Sequence, residues 1–146
     1  MICEAAINLI KHYEGCELTA YTCPAGVLTI GYGHTKGVKV NDTITQLQAE
    51  SWLKEELGLL EKHVNNMVRI RLTDNQRGAL VSFAYNVGVT ALKNATLLQK
   101  LNTCDINGAA MEFLKWNKIT VKGKKKECRG LTARRTAEQA LFLGRL

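Results

Sequence analysis

Residues 13–35 read Tyr13-Glu14-Gly15-Cys16-Glu17-Leu18-Thr19-Ala20-Tyr21-Thr22-Cys23-Pro24-Ala25-Gly26-Val27-Leu28-Thr29-Ile30-Gly31-Tyr32-Gly33-His34-Thr35. Glycines fall at 26, 31, 33 and again at 37, with Thr, Val, Ile and Tyr between them. That composition predicts short strands and tight turns from Leu18 to about Thr43. Immediately upstream, Ile2, Ala6, Leu9, Ile10 and Tyr13 recur at helical spacing, so residues 2–13 are predicted as an amphipathic helix stopped by Gly15.

Downstream the period is helical again. Thr45-x-x-Gln48 is a capping-box signature, followed by Ala49, Leu53, Leu57, Leu60, Val64 and Met67 on one face of a long helix. Thr73-x-x-Gln76 opens a second helix through Leu80, Ala84 and Val87 to Gly88. Residues 92–101, 105–116 and 132–143 are predicted as three more helices, and Trp52 and Trp116 fall on apolar faces, as core residues would. The expected architecture is α+β. A β-rich lobe spans about 15–44, and a larger helical lobe spans about 45–146 packed with helix 2–13. Together they make one domain over 1–146 with a cleft between the lobes.

A chain of 146 residues buries a core without metal or disulfide staples. With 46% apolar and 23% charged residues, it is not a disordered chain. The N-terminal apolar stretch is broken by Glu4, Asn8 and Lys11, so no stable membrane insertion is expected, and no signal peptide is recognised. Lys and Arg number 20 against 13 Asp and Glu, for a net charge of +7. Nine of the basic residues lie between Lys115 and Arg135, opposed by Glu127 alone. This patch is expected either to meet an anionic partner or to form a solvated, mobile loop around Gly123. Five cysteines with no C-x-x-C form neither a disulfide framework nor a common zinc site, so no metal and no cofactor are expected. Cys16 and Cys23 lie close enough in sequence for a regulatory disulfide, with five reduced cysteines as the alternative.

Gly31-Tyr32-Gly33 is not a dinucleotide-binding loop, because Lys36 stands where the third glycine would be needed, and no P-loop, G-x-S-x-G or H-E-x-x-H occurs. Glu14 ends a helix, where the macrodipole disfavours an anion and favours a protonated carboxyl, the state a general acid needs.

Glu14, Cys23 and Thr29 are spaced as E-x8-C-x5-T, and in this setting they resemble the E-x8-(D/C)-x5-T signature of phage-type lysozymes, glycoside hydrolase family 24. Phe83-Ala84-Tyr85-Asn86-Val87-Gly88 and Gly130-Leu131-x-x-Arg134-Arg135-x-x-Glu138 are similar to later segments of that family. The resemblance implies an endolysin that hydrolyses the β-1,4 bond between N-acetylmuramic acid and N-acetylglucosamine in bacterial peptidoglycan. Glu14, Cys23 and Thr29 would be catalytic, with Glu14 the acid and Cys23 and Thr29 orienting a water. Thr35, Tyr85 and Thr96 would contact sugar. Arg134 would sit beside Glu14, and His34 would pin its turn. Such a monomer would wait in the host cytoplasm for a holin and act on the wall in the periplasm, with no nucleic-acid partner. Cys23 stands where many relatives carry Asp, so a lytic transglycosylase on the same bond remains an alternative. A nucleic-acid-binding module built on the basic patch is an alternative of another class.

Overall fold

The computed structural model describes residues 2–146. Helix α1 (Glu4–Glu14) leads into a hairpin of β1 (Glu17–Thr22) and β2 (Leu28–Gly31). Then come α2 (Gln46–Met67), α3 (Asp74–Val87), α4 (Val89–Lys93), α5 (Thr96–Asn102) and α6 (Ile106–Glu112), with a 3-10 turn over Phe113–Lys115. A second hairpin, β3 (Lys118–Val121) and β4 (Lys124–Glu127), precedes α7 (Arg129–Phe142).

The small lobe forms as its composition predicts. β1 pairs antiparallel with β2, with an irregularity between Glu17 and Tyr21. Beside it, β1 bonds the 42–44 segment through Ala20 N–H to the Asp42 carbonyl and Ile44 N–H to the Leu18 carbonyl. Beyond β2 the chain reverses tightly, as Ile30 and His34 exchange both backbone hydrogen bonds at 2.8 Å.

The helical body is organised around α3, which is buried without interruption from Gly78 to Ala84 and packs on α7, α1 and α2. A Cβ on Gly78 would meet Ala6 Cβ at 2.7 Å and Cys3 Sγ at 2.9 Å, so the missing side chain sets how closely α1 approaches α3. Phe83, Phe113, Trp116 and Phe142 make edge and tilted ring contacts that close the core. Thr73 and Gln76 form a full capping box. At α2, Thr45 accepts from Gln48 N–H, while Gln46 turns to the small lobe and donates to the Tyr32 hydroxyl.

Three expectations need correction. The helix predicted over 92–101 breaks at Asn94–Ala95, where Ala95 is extended. Leu92 and Leu97 lie five positions apart, off one helical face, and the break lets both be fully buried. Trp52 is not core: it is half-buried and stacks on His34 with ring centroids 4.3 Å apart. The basic stretch is not a loose loop but a regular hairpin. Lys122 and Gly123 both have positive φ (50° and 76°), the backbone of a two-residue turn that matches strand twist.

Candidate active site

Glu14 is the last residue of α1, and its side chain is 19% exposed. One carboxylate oxygen, Oε2, accepts from Arg134 Nη1 at 2.6 Å. The other, Oε1, faces Gly33, where a Cβ would stand 3.0 Å from it. Gly33 also has φ +87°, so this turn needs glycine both for its backbone and for the room it leaves the acid.

Arg134 is 3% exposed and fully engaged. Its Nε donates to Glu138 Oε2 at 3.2 Å and its Nη2 to the Ser82 carbonyl at 3.1 Å. Ser82 Oγ donates to the same Glu138 oxygen. Arg135 lies 2.9 Å from Glu138 Oε1 through Nε, in ion-pair range but not aligned as a hydrogen bond, and its Nη2 donates to Asn86. Two guanidiniums and two carboxylates thus balance beneath the cleft. Burial pushes the Glu138 carboxyl up, against the pull of Arg135, Ser82 and Arg134.

A cavity of about 460 Å³ opens beside Glu14, lined by Gly33, by Glu56, Leu60 and His63 of α2, and by Tyr85 and Asn86 of α3. Tyr85 donates its hydroxyl to the Tyr32 carbonyl, joining the helical body to the small lobe, and burial pushes its phenol far up. His34 Nδ1 lies 2.6 Å from Glu56 Oε1, and Nε2 lies 2.9 Å from the Lys36 carbonyl. Both ring nitrogens are therefore used to hold the 31–36 turn on α2. Thr35 and Thr96 do not line this cavity.

Cys23 starts the turn joining β1 to β2, with its N–H on the Val27 carbonyl at 2.9 Å and its carbonyl accepting from Gly26. The Val27 N–H, then that of Ala25, hold its thiol below the ordinary value. Thr29 is 4% exposed, and its hydroxyl donates to the Val27 carbonyl at 3.0 Å, leaving lone pairs to accept from a water. Of the two states weighed for Cys16 and Cys23, a regulatory disulfide or reduced thiols, this structure has the reduced one. The six residues of β1 separate them, which sets their Cα atoms roughly 20 Å apart in an extended strand. Cys16 instead points at Gln46 Oε1, 3.6 Å away.

Sequence reasoning overlooked Glu56, His63 and Ser82. Glu56 and His63 belong to no motif of the sequence. Their only signal is that they follow Trp52 and Glu56 at helical spacing on the face turned to the small lobe.

Glycoside cleavage by acid catalysis needs a carboxyl held over a groove open to a polymer. Glu14, tied inward by one oxygen and facing the cleft with the other, meets that need, and the two-lobed fold places the chain in the lysozyme-like class. A profile of the phage lysozyme family matches residues 11–138. The endolysin of Acyrthosiphon pisum secondary endosymbiont phage 1 is 47% identical over 141 residues, 97% of each chain. Among solved structures, the endolysin from Escherichia coli O157:H7 phage FAHEc1 superposes with a TM-score of 0.92 at 37% identity, covering all of this chain and 95% of the other. The muramidase domain of SpmX from Asticaccaulis excentricus does so with 0.92 at 34%, covering 98% and 97%. The chain belongs to the phage lysozyme family and is a peptidoglycan-cleaving enzyme of lysozyme type.

Proposed function

We propose that this endolysin cleaves the β-1,4 bond between N-acetylmuramic acid and N-acetylglucosamine by hydrolysis, with Glu14 as the general acid. The observation that carries this reading is the carboxyl's placement. Oε2 is held by a buried arginine, and Oε1, facing the cleft, delivers its proton to the leaving glycosidic oxygen. Cys23 and Thr29 orient the attacking water at the opposite face of the sugar, and a thiol held low is ionised in a larger fraction, the thiolate being the form able to accept the water's proton. Tyr85 contacts the glycan from the cavity wall. Thr35 and Thr96 serve only a strand that extends past the cavity. The protein works as a monomer, without metal, cofactor or nucleic acid. It is held in the host cytoplasm until a holin gives it access to the periplasmic wall.

Purified sacculi digested by wild type and by Glu14→Gln provide the test. Wild type releases muropeptides with reducing N-acetylmuramic acid ends, and Glu14→Gln releases almost none. Full activity of the Gln variant would sink the assignment of the acid. Ends of 1,6-anhydro type would replace the water step with internal transfer, the transglycosylase reading that the absence of an Asp at position 23 keeps in view.

A further inference from the structure

The β3–β4 hairpin carries none of the residues assigned above to the site, yet it carries the densest charge of the molecule. All eight of its strand residues are exposed. The register pairs Ile119 with Lys126 and Val121 with Lys124, so these four side chains share one face. Lys118, Thr120, Lys125 and Glu127 share the other. Ile119 is 43% exposed and Val121 37%, two β-branched apolar side chains that keep part of their surface open to solvent among cations, Ile119 also bordering a cavity with Trp116 and Leu131. Lys122 adds a further charge at the turn. Of the neighbouring basic residues, Lys115 is paired with Glu112 at 2.6 Å, whereas Lys122, Lys124, Lys125, Lys126 and Arg129 have no ion-pair partner among the described residues.

We propose that this hairpin docks the enzyme on anionic phospholipid bilayers, with Lys124 and Lys126 on headgroup phosphates and Ile119 and Val121 in the hydrocarbon boundary. A soluble polyanion such as duplex DNA engages the lysines and has no use for the apolar pair. A bilayer surface offers phosphate and hydrocarbon within one side-chain length, which matches the alternation on this face. No described helix is long and apolar enough to cross a membrane, so the contact is peripheral and reversible. An enzyme held this way would search the wall from the membrane beside it.

The test is co-sedimentation of the full chain with phosphatidylcholine vesicles, with and without phosphatidylglycerol, at low and high salt. Wild type should bind only the anionic vesicles and be released by salt. Lys124→Gln combined with Lys126→Gln should weaken binding by about 25-fold, fivefold for each charge. Ile119→Ser combined with Val121→Ser should weaken it by about tenfold or more. Both pairs should hydrolyse sacculi at the wild-type rate. A Val121→Trp variant reports insertion without removing the apolar contact, and its emission should shift to the blue on anionic vesicles. No binding to anionic vesicles, or an unshifted emission from the Val121→Trp variant, overturns the proposal. Binding that the serine pair leaves intact while DNA competes it away also overturns it, in favour of a patch for phosphate polymers.

Discussion

Arg134 Nη1 lies 2.6 Å from Glu14 Oε2 although 120 residues of chain separate the two. The same guanidinium also holds Glu138 and the Ser82 carbonyl, so α1, α3 and α7 meet at one buried cation. A side chain with that many partners cannot be exchanged for another cation without leaving some of them unpaired.

Arg134→Met is expected to destabilise the fold by about 3–5 kcal/mol, because Glu138 and Glu14 lose a buried counter-charge. Arg134→Lys keeps the charge but reaches fewer partners, so it should fold with a lower melting temperature and a reduced kcat on sacculi. Glu138→Gln alone should cost stability while sparing most of kcat, since it does not touch Glu14. Denaturant titration and sacculus kinetics on the three variants separate these effects. Equal loss of kcat in Arg134→Lys and Glu138→Gln would contradict the positioning role.

Cys23 should be more reactive than Cys16 near neutral pH. Backbone N–H groups hold its thiol below the ordinary value, whereas burial pushes that of Cys16 up. The thiolate is the reactive form, so a lowered value populates it at lower pH. Iodoacetamide labelling with mass mapping should modify Cys23 before Cys16 at pH about 7–8. If the thiolate takes the water's proton, activity should rise with pH through the Cys23 titration. Cys23→Ser should then retain partial activity with that alkaline limb flattened, and an unaltered pH profile in Cys23→Ser would remove Cys23 from the mechanism.

Lys11 and Glu50 tie α1 to α2 at 2.6 Å, and Tyr32 donates to the same carboxylate from the small lobe. The Lys11 hydrogen bond holds the Glu50 carboxyl below its usual range, with Gln46 and Tyr32 adding to the effect against burial. A depressed carboxylate contributes stability above its unfolded value, about 4.3, and loses it as pH falls through the folded one. The same bond, ahead of opposing burial, holds Lys11 above the ordinary lysine value, so its contribution is complete below that value and fades as pH rises through the folded one. Both side chains are partly exposed, which limits the effect to about 1 kcal/mol or less. Glu50→Gln should therefore be slightly less stable than wild type at pH 7, with the difference narrowing as pH falls below about 4.3. A constant difference across that range would mean that charge plays no part.

Two helical glycines should respond oppositely to alanine. Gly58 is exposed in the interior of α2 and has nothing within 4 Å of an added Cβ, so Gly58→Ala should stabilise by up to about 1 kcal/mol. Gly78→Ala drives a methyl against Ala6 and Cys3, so it should destabilise by about 1–3 kcal/mol as α1 is pushed off α3. Urea midpoints for the pair decide both signs.

Much of the fold was legible because local signals agreed with tertiary ones. The Thr73 box, the 45–67 period and the glycine-rich 15–37 stretch each specify their element without help. The break at Ala95 was hard to read, because Leu97, Leu98 and Leu101 keep helical spacing and Leu92 alone, five positions before Leu97, falls off their face. The second hairpin was hidden by its lysines, which read as a solvated run, although Lys122-Gly123 between two four-residue strands is a turn signal. At the site, Glu14, Cys23 and Thr29 stood out by motif. Their supports did not, since Ser82, Glu56 and the oxygen-by-oxygen sharing of Glu138 depend on contacts across distant chain segments.

The charged cluster that holds Glu14 is completed only by α7, whose Arg134, Arg135 and Glu138 are translated after every other residue of the site. Until those residues leave the ribosome, the acid at position 14 has no guanidinium and α3 lacks one of its covering helices. A chain cut short before Arg134 therefore carries the whole Glu14, Cys23, Thr29 constellation and still lacks the means to aim it. For a wall-cleaving enzyme, competence arrives only once α7 has been made and has packed beneath the acid.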